Sequence, residues 1–349
     1  HMVMQNGSGL SGNKNAAQPA LIFSMPGSSS KYYLFTVGSK YGGLWGLHYN
    51  IIDITLDGGL GGIIPGQKNI PISAGSDAND KLTGFRHANG TDFWVITRKF
   101  NNDKYASFLV STLGVQTPPV LSNTRYIATT ADLRGQMKVS PNGKKLLCPF
   151  LSSNVSGSNP DIEICDFDAN TGVVQLNFTL KENINPTLDG LEISPDSKLL
   201  YVGFNKESSP GSPPGLLENQ IFQYDLKLTD SLLFLQSRIQ VATGPGIKLQ
   251  LAPDGKIYCM SWDDYSSATT ITLKPDSLSV INKPWIRGAG CDFQPATVYL
   301  GGSFAVGEFP NFLQEQLYRF VWSGGLCAGV PFNFRHRFFL VQGWIKPSV

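Results

Sequence analysis

Residues 190–204 read GLEISPDSKLLYVGF: a short alternating run, a Ser-Pro-Asp-Ser turn and a second apolar run. Alternation on both sides of such a turn predicts a β-hairpin, because successive side chains of a strand point to opposite faces. The pattern recurs. GQMKVSPNGKKLLCPF begins at Gly135 and KLQLAPDGKIYCMSW at Lys248, so Pro141, Pro195 and Pro253 mark equivalent turns 54 and 58 residues apart. Two weaker copies, LTGFRHANGTDFWVIT around Asn89-Gly90 and LIFSMPGSSSKYYLFTV around Pro26-Gly27, bring the number to five. The turn chemistry is consistent: Pro presets φ at the first central position, Asn or Asp tolerates the left-handed region, and Gly enters it at no steric cost.

Each hairpin is followed by two more strand-like runs, for example DIEICDFDANTGVVQLNFTL from Asp161 and NQIFQYDLKLTDSLLFLQSRI from Asn219. Four antiparallel strands repeated at about 40 to 60 residues predict an all-β chain folded as a β-propeller, in which each blade buries its faces against its neighbours. ATVYLGGSFAVGEFPNFL, from Ala296, starts a further unit that lacks the hairpin signature. The expectation is therefore about six blades, five clear and one composite, over residues 1–317. From Tyr318 the texture changes, and 318–349 reads as a linker or the truncated start of a following domain.

The composition suits this architecture. Of 349 residues 41% are hydrophobic and 11% aromatic, with 37 Gly and 22 Pro, while charged residues reach only 15% against a usual quarter. A formal charge of +2 without a run of one sign leaves no electrostatic footprint for a nucleic-acid backbone or an anionic bilayer. No stretch approaches the roughly 18 apolar residues of a membrane span. The five cysteines lie far apart with no C-x-x-C pair, which predicts buried free thiols and leaves room for one disulfide in an exported protein.

Several stretches together, among them VMQNGSGLSGNKNAAQPALIFSMPG, GGLWGLHYNIIDITLDGGLG, KLTGFRHANGTDFWVITRKF, SPNGKKL, SPDSKLLYV, LAPDGKIY and EFPNFLQ, resemble the propeller region near the N-terminus of large secreted Bacteroidetes proteins. That group carries PKD repeats and a type IX secretion sorting domain and is often labelled gliding-motility-associated. The resemblance implies a secreted or cell-surface location and a fragment of a longer parent, and it allows seven blades in the whole. It carries no catalytic motif.

Candidate chemistry follows from single positions. His87 and Arg86 sit at the hairpin turn of the second copy, where propeller loops form ligand-binding funnels, and His87 is a candidate acid–base group. Lys138, Glu192 and Gln250 occupy equivalent places two residues before the Ser/Ala-Pro turns, a polar series that either pairs between blades or contacts a ligand. In SWDDYSS, Trp262 and Tyr265 flank Asp263 and Asp264, the combination that stacks on a sugar and accepts its hydroxyl protons; with Asp189 and Glu192 these acids are the carboxylate candidates of a catalytic site. Asp166 to Gly172, DFDANTG, misses the EF-hand spacing and reads as a hairpin connection, although a structural calcium is compatible with its acids. His48 reads as a packing histidine.

There is no G-x-S-x-G elbow, H-E-x-x-H, phosphate loop or dinucleotide fingerprint. The leading expectation is a non-catalytic module that binds a glycan or protein at a funnel face. The alternative is a propeller hydrolase acting on a polysaccharide, ester or lactone, and an open blade edge allows self-association.

Overall fold

The computed structural model describes residues 3–313 apart from 14–15, 40–41, 125, 128–134, 152–159, 182–186, 206–218, 244–247, 261–275, 304–308 and 312. Within these residues lie five antiparallel sheets, the blades of a β-propeller fold. Blade 1 holds β1 (Ala20–Ser24), β2 (Lys31–Ser39) and β3 (Gly42–Asp53), with the short β4 (Gly62–Ile63) and β5 (Ile70–Pro71) sharing the outer place against β3. Blade 2 runs β6 (Ala78–Arg86), β7 (Phe93–Lys99) and β8 (Lys104–Ser111), flanked by β9 (Gly114–Val115) and β10 (Val120–Asn123). Blade 3 is β11 (Lys138–Val139), β12 (Lys145–Leu151), β13 (Pro160–Phe167) and β14 (Val174–Lys181).

Blade 4 is β15 (Thr187–Ile193), β16 (Leu199–Asn205), β17 (Gln220–Asp225) and β18 (Ile239–Thr243), and blade 5 is β19 (Lys248–Leu251), β20 (Ile257–Met260), β21 (Ser277–Ile281) and β22 (Phe293–Tyr299). The chain divides into two compact units: blades 1 to 3 with Asn311 and Leu313 form the first, blades 4 and 5 the second.

All five hairpins legible in the sequence are formed, and one geometry unites them. Gly27 (φ 77°), Gly90 (79°), Gly143 (70°), Ser197 (60°) and Gly255 (79°) each take the left-handed conformation at the turn. Ser140 and Ser194 reinforce two of these turns: each hydroxyl accepts the backbone N–H of the residue five further on, Lys145 or Leu199, at 2.9 Å. Only the blade 4 hairpin, with Ser197, places a side chain at the left-handed position, a conformation that costs an L-residue about 1–2 kcal/mol.

The inner strands are buried on both faces, as in FWVITRK of β7, whereas the outermost β14 alternates buried and exposed residues. In the first unit Leu21, Phe23, Phe35, Phe93, Val95 and Phe108 fill the space between blades 1 and 2, with Phe23 and Phe93 ring centroids 4.6 Å apart. Trp94, Tyr105, Met137, Cys148 and Cys165 do the same between blades 2 and 3. In the second unit Leu199, Tyr201, Leu249, Ile257 and Cys259 join blades 4 and 5. Cys148, Cys165, Cys259 and Cys291 are buried free thiols, and Cys327 lies outside the described residues.

Two sequence expectations need correction. Ala296 to Tyr299 do not begin a sixth blade: they end β22, which pairs with β21 through Val280↔Gln294 and Ile281↔Phe293. The chain then supplies Leu313, 1% exposed, to the core between blades 1 and 2, while the Asn311 amide donates to the Leu82 carbonyl oxygen at 2.6 Å. Gln18 completes this strap, exchanging hydrogen bonds with the Met137 backbone at 2.8 and 2.9 Å. Five blades lie within the described residues, against an expectation of about six with one composite. SLLFLQ, read as part of a strand run, is instead the helix α1 (Ser231–Gln236), since the Asp230 carboxylate accepts from Leu232 and Leu233 N–H and caps it. The segment 318–349 lies outside the described residues.

Candidate functional site

A concavity built by one unit lies between the outermost strands of blades 2 and 3. Leu121 to Thr124 of β10 and its continuation form one wall, and Val173 to Thr179 of β14 and its preceding turn form the other, around a volume of about 570 Å³. That size falls in the range of small-ligand clefts. All of its lining residues are uncharged. Leu121 and Val173 are 50% and 42% exposed, and the amides of Asn123, Gln175 and Asn177 are on exposed residues. The two strands are tied directly: the buried Ser122 hydroxyl accepts the Val174 N–H at 2.9 Å.

One end of the groove is set by a clamp between turns. Ala88 N–H donates to the Ala169 carbonyl oxygen at 3.0 Å, and the Trp94 indole N–H donates to the same oxygen at 2.9 Å. His87 closes the clamp. Its Nδ1 accepts the Asn89 N–H at 3.0 Å and its Nε2 lies 3.0 Å from the Asn170 carbonyl oxygen, so the tautomer that satisfies both carries the proton on Nε2. Arg86 donates to the Gly90 carbonyl oxygen at 2.8 Å and lies 4.8 Å over the Phe93 ring.

The clamped turn is the DFDANTG segment, and it is the hairpin connection between β13 and β14. Asp168 accepts the Asn170 N–H at 2.9 Å and the Thr171 hydroxyl at 2.7 Å; the Thr171 hydroxyl chiefly holds its carboxyl below the ordinary range. Gly172 is left-handed (φ 74°), and a Cβ there would sit 2.7 Å from the Trp94 ring. Among the described residues no three His, Cys, Asp or Glu side chains gather as a cation site.

The other end rests on a buried charged network. Arg98, 2% exposed, donates to the Thr124 hydroxyl at 2.7 Å and the Tyr126 carbonyl oxygen at 2.6 Å, with Glu163 Oε1 at 3.4 Å. The Tyr105 hydroxyl donates to Glu163 Oε2 at 2.5 Å, and the Arg98 guanidinium lies 4.6 Å over the Tyr105 ring. Burial opposes the charge on Arg98, but Tyr105 and Glu163 outweigh it and push its pKa up. Burial likewise raises the Tyr105 phenol well above its usual value. Glu163 stands opposite Thr179 in the β13–β14 register.

The other candidates are placed as follows. Glu192 is fully buried: one carboxylate oxygen accepts the Ile193 N–H at 2.8 Å and the other the Leu251 N–H at 2.9 Å, which braces β15 against β19. Gln250, 5% exposed, donates to the Leu251 carbonyl oxygen at 3.0 Å. Lys138 is buried in β11 opposite Leu147. Asp189 lies in β15, and Trp262, Asp263, Asp264 and Tyr265 lie outside the described residues. His48 is buried opposite Thr36 and Pro71, and burial lowers its pKa.

His87 and Arg86, singled out in the sequence as funnel residues, lie at the clamped turns, and the groove itself was not anticipated. Arg98, Tyr105 and Glu163 were also missed; their one linear signal is a charge at an inward position of a strand, as in DIEICDF.

No family model and no curated protein matches the chain. Solved structures do resemble it. The β-propeller domain of the Trilobed protease from Pyrococcus furiosus aligns at 10% identity and a TM-score of 0.36, covering 76% of this chain and 70% of that one. Oligogalacturonate lyase in complex with manganese aligns at 11% identity and 0.36, covering 83% and 87%. Kuenenia stuttgartiensis hydrazine synthase aligns at 13% identity and 0.44, covering 88% and 91%.

Proposed function

We propose that this propeller is a non-catalytic binding module of a larger exported bacterial surface protein, and that it takes a glycan or protein ligand in the groove between β10 and β14. The observation that carries the reading is an open, uncharged groove anchored at both ends, by the His87 turn clamp and by the Arg98–Glu163–Tyr105 network. Anchored walls lower the ordering cost of binding, which is what a recognition surface needs. Two of the acid–base candidates are engaged elsewhere: both oxygens of Glu192 hold backbone N–H groups, and both ring nitrogens of His87 are in hydrogen bonds. The export reading rests on the ordered motifs of the sequence. The groove reading moves the expected site from the funnel loops to the outer strands.

The test is affinity electrophoresis through gels carrying neutral or acidic polysaccharides, with a displayed peptide library as the protein arm and a reducing-end assay run in parallel. Retention by one class without new reducing ends is expected. Retention by neither, or cleavage of a retained polysaccharide, contradicts the reading.

A further inference from the structure

We infer that blade 1 contains an interior site for a single water molecule, built by Ser11, Thr36 and His48, which seals the N-terminal segment onto the sheet. The three residues are 5%, 5% and 7% exposed. The Ser11 hydroxyl, the Thr36 hydroxyl and His48 Nδ1 are each buried with no hydrogen-bond partner among the described residues. Native interiors leave few polar atoms in that condition, because an unpaired one forfeits its hydration without return.

The sheet register brings the three together. Thr36 stands opposite His48 between β2 and β3, and His48 stands opposite Pro71 between β3 and β5. Asn50, two residues from His48, shares its face of β3. The Asn50 Oδ1 accepts the Asn69 N–H at 2.7 Å, and the Asn69 Oδ1 accepts the Ser11 N–H at 2.7 Å. This relay fixes Ser11 over the β5 side of the face. The next residue, Gly12, lies over the β2 side, where a Cβ would sit 3.5 Å from the Thr36 Cβ. The chain from Ser11 to Gly12 therefore crosses the β3 column, and His48 lies beneath the crossing.

The chemistry of the three groups matches one water. The Gly46 carbonyl oxygen bonds the His48 ring, and with Nδ1 unpartnered that bond belongs to the Nε2 proton. Nδ1 thus presents a bare lone pair, and burial keeps the ring neutral by lowering its pKa. A water donates one proton to Nδ1 and the other to one hydroxyl oxygen, and accepts the proton of the second hydroxyl. Those three bonds are what a buried water ordinarily makes. A divalent cation is poorly served, because one neutral imidazole and two hydroxyls bring no negative charge to it.

Two measurements on the full chain test the site. A high-resolution crystal structure of the wild type should show one ordered water at about 2.7–3.2 Å from His48 Nδ1 and from both hydroxyl oxygens. A dry site, or a direct hydrogen bond from either hydroxyl to Nδ1, overturns the inference. The second measurement is equilibrium unfolding of Thr36→Val, Ser11→Ala and the double variant at about pH 8, where the ring is neutral. Valine keeps the branched shape of threonine and suits a strand. Where the Thr36 hydroxyl holds a water, Thr36→Val lowers the folding equilibrium constant about fivefold. The double variant then loses less than the product of the two single losses, because both changes act on one shared water. A folding constant unchanged or raised in Thr36→Val is the mark of a hydroxyl unpaired in a dry site, and it overturns the inference, as do single losses that simply multiply.

Discussion

Asp161 offers a measurable consequence of how the third blade is built. It stands in β13 opposite Phe150 and Lys181, 4% exposed, and burial pushes its carboxyl up to about 6 from an ordinary 3.8, with Lys181 opposing the rise. The folded state therefore holds the proton more tightly than the unfolded chain does. Its stabilising contribution is complete below about pH 4, is lost as pH rises through about 6, and leaves a constant penalty on the ionised form above that. A displacement of that size corresponds to about 3 kcal/mol at most.

Asp161→Asn keeps the shape and removes the ionisation. Chemical denaturation of wild type and variant, followed by circular dichroism from pH 3.5 to 8, should give near-equal stabilities at pH 3.5. The variant should gain steadily between pH 4 and 6 and stand up to about 3 kcal/mol more stable at pH 7.5. A difference that is flat across this range, or a variant less stable at pH 7.5, would refute the assignment of burial over the Lys181 attraction.

The remaining predictions concern the turns, the strap and the buried network. Ser197→Gly relieves the one side chain held left-handed among the five hairpin turns and should stabilise by about 1 kcal/mol in equilibrium unfolding. Leu313→Ala, in the strap packed between blades 1 and 2, should cost about 2–5 kcal/mol, seen as a lowered denaturation midpoint. Glu163→Gln leaves the buried Arg98 charge uncompensated and should cost about 3–5 kcal/mol, whereas the double change with Arg98→Met should recover much of the loss in a double-mutant cycle.

Legibility in the sequence followed the range of the interaction. The five hairpins could be read because a Pro-Asn/Asp-Gly turn is specified by adjacent residues, and Ser197 fits the series despite its side chain because Pro195 and Asp196 still fix the turn. The end of the repeat was harder. Leu313 is a single apolar residue whose partners, such as Leu21 and Phe93, lie more than two hundred residues earlier, so nothing local marks it as a core anchor. The groove was hidden for a related reason. Its walls come from two blades some fifty residues apart, and its residues are the plain Asn, Gln, Thr and Leu of outer strands, with no spacing that differs from ordinary alternation. Titratable groups drew attention to Glu192 and His87, yet the backbone N–H groups they accept from make both of them structural braces.

The central claim, that ligand is received between β10 and β14, is tested most directly by hydrogen–deuterium exchange of the full chain with and without a saturating mixture of neutral hexaoses. The account predicts slowed exchange concentrated in residues 120–124 and 173–179, with the hairpin turns at Asn89, Asn142, Asp196 and Asp254 unchanged. Protection centred on those turns, with none in the two outer strands, would contradict it.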